Sequence, residues 1–76
     1  MIEVFKTNVR DQHQADILIE EINLHFNYHA NFDLKDCDNI LRVKCYGDVI
    51  QSSMLIDLLS ERGFLAEILP EEVPYS

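Results

Sequence analysis

The chain has 76 residues, 47% of them hydrophobic and 26% charged, and its fourteen acidic against six basic side chains give a net charge of -8. That length allows one domain with one modest core, which buries only about 60% of its unfolded surface. The negative charge sets the chain against a nucleic-acid backbone or an anionic membrane, and no stretch approaches the ~20 apolar residues a membrane span requires.

Ile2 to Thr7 is rich in β-branched and aromatic residues and predicts a first strand, followed by a polar turn over Asn8 to Asp11. Asp11 and Gln14 have the N-cap and N3 spacing of a capping-box variant. Ala15, Leu18, Ile22 and Phe26 then recur at helical spacing, predicting a helix from about Gln12 to Phe26 with one face on a core. From Ala30 to Leu34 the period becomes two, with Ala30, Phe32 and Leu34 on a dry face. After the turn residues Asp36 to Asn39, Leu41, Val43 and Cys45 alternate with Arg42, Lys44 and Tyr46, completing a hairpin. Asp48 and Gln51 repeat the cap spacing at the head of a second helix, whose expected buried face is Leu55, Ile56 and Leu59 and whose stop is Arg62-Gly63. Phe64 to Leu69 predicts a last strand, ended by Pro70.

Two helices among four strands in this order fit an α+β, βαββαβ two-layer sandwich: one four-stranded antiparallel sheet with both helices on one face. The first and third strands are expected at its centre, with the fourth beside the first and the second beside the third. Residues 1–70 form the single domain in this reading, and 71–76 a flexible acidic tail. The opening residues Met1 to Phe5 lack the basic-then-apolar pattern of an export signal. Cys37 and Cys45 are too few for a disulfide scaffold, so reduced thiols in a cytoplasmic protein are expected.

In this register Ala30-Asn31-Phe32-Asp33-Leu34 followed by Ile40-Leu41-Arg42-Val43, and Leu55 to Ala66 with Gly63-Phe64-Leu65-Ala66, resemble the central hairpin and last helix-to-strand passage of the heavy-metal-associated domain family. The resemblance covers nearly the whole chain and implies the ferredoxin-like fold of copper chaperones and of the cytosolic modules of metal-pumping ATPases. That family binds a soft metal through a C-x-x-C pair in the loop between first strand and first helix. Here Asp11 and Gln14 stand near the places of the two cysteines, and neither is a soft ligand.

No nucleophile is paired with a base anywhere in the sequence, so no enzyme activity and no cofactor is expected. Two function classes remain. The first is an interaction module. With Ile2 and Val4 pointing to the core, Glu3 and Phe5 point outward; with Ala66 and Ile68 inward, Leu65, Glu67 and Leu69 point outward. Phe5, Leu65 and Leu69, rimmed by Glu3, Glu67, Arg42 and Lys44, then form an apolar cluster on the open sheet suited to a second copy of the chain or a larger protein. The alternative is zinc or copper handling through Cys37, Cys45, His25 and His29 as ligands outside the usual loop.

Overall fold

A computed structural model describes residues 1–35, 37–47 and 49–69. The elements run β1 (Ile2–Thr7), α1 (Gln12–Phe26), β2 (His29–Asp33), β3 (Ile40–Lys44), α2 (Ser52–Glu61) and β4 (Ala66–Ile68). The strands form one four-stranded antiparallel sheet in the order β2-β3-β1-β4, the ferredoxin-like arrangement, with β1 and β3 central. The expected tail, 71–76, lies outside the described residues.

The core lies between the sheet and the two helices. Ala15, Leu18 and Ile22 of α1 and Leu55 and Leu59 of α2 meet Phe5, Leu41, Val43 and Cys45 of the sheet layer. The helical spacing of the first set and the period-two spacing of the second deliver them to the same layer. Ala30 and Phe32 of β2 and Phe26 of α1 pack at the margin. Arg62, just past α2, donates through Nε (2.9 Å) and Nη2 (2.6 Å) to Glu21 Oε1 and ties the two helices together on their outer side.

The termini of α1 follow from local chemistry. Asp11 is its N-cap, the carboxylate accepting the Gln14 N–H at 3.1 Å, and Asn27 ends it in the left-handed region at φ 60°. After α2, Phe64 N–H donates to Leu59 O at 2.9 Å and Gly63 N–H to Ser60 O at 3.0 Å, a Schellman closure with Gly63 at φ +90°. Phe64 is thereby spent on capping, and β4 shrinks from the expected six residues to three.

Two sequence expectations are corrected. The first is the facing of β1. Phe5 is fully buried, and Thr7 is buried with it, while Ile2 is 57% exposed and Val4 half-buried on the other face. Register places Phe5 opposite Leu41 of β3 and Ile68 of β4, on the helix side, and Glu3 goes with it, opposite Val43. Each alternation of β1 carries one charge, Lys6 with Ile2 and Val4, Glu3 with Phe5 and Thr7; the observed facing buries the Phe5 ring opposite Leu41 and leaves Glu3 half-buried near the strand end. The Thr7 hydroxyl is satisfied, since Thr7 Oγ1 donates to Asn39 O at 2.6 Å and accepts Val9 N–H at 3.2 Å.

The second correction is the head of α2, which starts at Ser52 with Gln51 as N-cap and no side-chain cap bond. Asp48 lies outside the described residues. The preceding segment is held out of the helix by Tyr28, whose hydroxyl donates to Val49 O at 3.2 Å and accepts Gln51 N–H at 3.1 Å. Ile50 is buried between them in sequence, so the chain enters the core before it turns helical.

Candidate interaction surface

Both helices cover one face of the sheet, and the opposite face carries the alternate residues of every strand. Strand register arranges them in rungs. His29, Lys44 and Ile2 lie side by side, then Asn31, Arg42 and Val4, then Asp33, Ile40, Lys6 and Glu67. Leu69 joins beside Val4, to whose carbonyl its N–H donates at 2.9 Å.

Of the expected surface residues, Leu65, Glu67, Arg42 and Lys44 are exposed on this face and Leu69 is half-buried on it. Leu65 is 71% exposed, and its backbone is nonetheless fixed: its N–H donates to Asn8 Oδ1 at 2.8 Å and its carbonyl accepts Asn8 N–H at 3.3 Å. Phe5 is not part of the surface, because β1 turns it into the core, and Glu3 leaves the rim with it. Their places on the open face are taken by Ile2, Val4 and Lys6, which sequence reasoning missed. Lys6 and Glu3 put one charge on each alternation of β1, so the strand by itself does not decide its facing.

Charge on this face differs from that of the whole chain. Three of the six cations, Lys6, Arg42 and Lys44, lie on it with two carboxylates, Asp33 and Glu67. Arg42 Nη1 is 3.9 Å from Asp33 Oδ2, and Lys6 stands across from Glu67. The helices carry the opposite sign outward, with Asp16, Glu20 and Glu21 on α1 and Asp57 and Glu61 on α2. At the edge, β4 has no neighbour beyond it among the described residues. By antiparallel alternation the main-chain polar groups of Ala66 and Ile68 point away from β1.

The proposed metal ligands are not brought together. His25 is exposed in the last turn of α1, and His29 begins β2 on the far side of the left-handed Asn27, so no shared helical face aligns them. Cys37 is exposed in the β2–β3 turn and Cys45 is buried just past the opposite end of β3. Five strand residues at ~3.3 Å each separate them by roughly 17 Å. No group of three or more His, Cys, Asp or Glu side chains among the described residues is placed to hold a metal ion. In the β1–α1 loop, Asp11 and Gln14 form the helix cap described above.

No family model, no curated protein and no solved structure matches this chain. Among the described residues no helix is long and apolar enough to cross a membrane.

Proposed function

We propose that this domain is a non-catalytic, cytoplasmic interaction module that binds protein through the uncovered face of its sheet and the adjoining β4 edge. The observation that carries the reading is a sheet face on which none of the described elements packs: it exposes Ile2, at 57%, beside half-buried Val4 and Leu69, and Leu65, at 71%, beyond the Lys6–Glu67 rung. Apolar side chains held rigidly by a paired backbone and rimmed by charge are what a protein interface uses at its centre. The resemblance to the heavy-metal-associated domains supports the same reading: the segment that offers thiolates there serves here to cap α1, leaving the sandwich itself as the part put to use.

Site-specific photo-crosslinking in the producing cells tests it. A crosslinker at Leu65 or Ile2 is expected to capture a defined protein adduct, either a second copy or a partner. The same group at Leu24, which is 81% exposed on α1, is expected to capture none. Adducts from Leu24 and none from the sheet positions would overturn the assignment of the face.

A further inference from the structure

One end of the uncovered face is built from hydrogen-bond donors. On β2 and β3, His29 is directly opposite Lys44, and Asn31 directly opposite Arg42. Directly opposed residues have Cβ atoms about 4.5–5.5 Å apart, and neighbours two apart along a strand share the face. The four side chains therefore stand on two adjacent rungs. They line a shallow concavity closed on one side by Ile2 and at its end by Tyr46, whose ring meets that of His29 edge-on at 6.1 Å between centroids. Among the described residues no carboxylate lines it; on the next rung Asp33 lies 3.9 Å from Arg42.

We infer that this concavity, formed by His29, Asn31, Arg42 and Lys44 beside Ile2, binds carboxylate side chains of an acidic protein segment whose apolar residue rests on Ile2. The inference rests on the proposed interaction role of the sheet and names the chemistry of its partner. A guanidinium, an ammonium, an imidazole and an amide aimed at one space supply charge-assisted hydrogen bonds to anionic oxygens. In a chain of net charge -8, a patch carrying Arg42 and Lys44 is also where an acidic partner meets least repulsion, so the field orients its approach to this face. A nucleic acid fits less well. The centre of the face offers aliphatic Ile2 and Val4 where a base would need an aromatic platform.

Isotope-labelled full chain, titrated and followed by its amide NMR shifts, decides the matter. The probe is an acetylated twelve-residue peptide of glutamates with leucine at every fourth position; its lysine counterpart and a twelve-nucleotide thymidine strand are the comparators. The acidic peptide is expected to shift the amides of β2 and β3. Its affinity should fall at least about fivefold in Lys44→Glu and again in Arg42→Glu, and by a similar factor between low and high salt. Lys35→Glu, which changes an exposed cation in the β2–β3 turn, beyond the two rungs of the concavity, should leave it unchanged. Binding of the thymidine strand at these residues in place of the peptide would overturn the inference, as would peptide binding indifferent to Lys44→Glu. Crosslinks from Leu65 that persist in Lys44→Glu would overturn it too, and leave the interaction reading standing. Silence of every probe together with absence of crosslinks from the sheet would remove both.

Discussion

Tyr28 joins the end of α1 to the loop before α2, more than twenty positions away. Its ring stacks on Phe26 at 5.4 Å between centroids, its hydroxyl holds Val49 O and Gln51 N–H, and it is itself 7% exposed. Removing the hydroxyl deletes two part-buried hydrogen bonds to the β3–α2 loop, together worth about 1–2 kcal/mol. Tyr28→Phe is accordingly expected to lower the unfolding free energy by that amount, read as a lower urea midpoint at unchanged slope, and to raise amide exchange at Gln51. At this scale the sequence is least transparent: nothing local to Tyr28 shows that its hydroxyl reaches a loop more than twenty positions later. Phe5 is a similar case: with Glu3 on its own alternation and Lys6 on the other, β1 carries no local signal for its facing, and the residues opposite it, Leu41 and Ile68, decide the matter.

Elements were legible wherever their end signals are local. Asp11 caps α1 through Gln14 N–H, and Gly63 closes α2 at φ +90°. Asp11→Ala is expected to cost about 1 kcal/mol in chemical denaturation. A Cβ added at Gly63 would meet no atom within 4 Å, so the cost of Gly63→Ala is that of the left-handed backbone alone, about 1–2 kcal/mol. The head of α2 was misplaced because a cap spacing at Asp48 and Gln51 competes with a tertiary bond from Tyr28 that holds Gln51 in place. β4 was read too long for a related reason: Phe64 has a strand former's side chain, yet its N–H is engaged by Leu59 O. In both places a contact between elements overrides a local preference.

For the whole molecule, layer order and strand order follow from the alternation of helix-period and strand-period segments, and the uncovered face follows from having two helices on one side only. Which residues occupy that face depends on the β1 register, and this gives the interaction reading a direct test against stability. A chain of this length has roughly 4–11 kcal/mol of total stability at ~0.05–0.15 kcal/mol per residue. Phe5→Asp places a carboxylate in a site that is fully buried, a change in the class that costs more than about 4 kcal/mol, and it should leave a largely unfolded chain. Leu65→Asp alters a side chain that is 71% exposed while keeping the backbone bonds to Asn8, so folding stability should stay within about 0.5 kcal/mol. Crosslinking from Ile2 should nevertheless fall sharply in Leu65→Asp. Far-ultraviolet dichroism under urea, run beside the crosslinking of both variants, separates the two residues: a folded Phe5→Asp chain with an unfolded Leu65→Asp one would mean that β1 presents its other face, and the surface assigned to Ile2, Val4 and Lys6 would have to be redrawn.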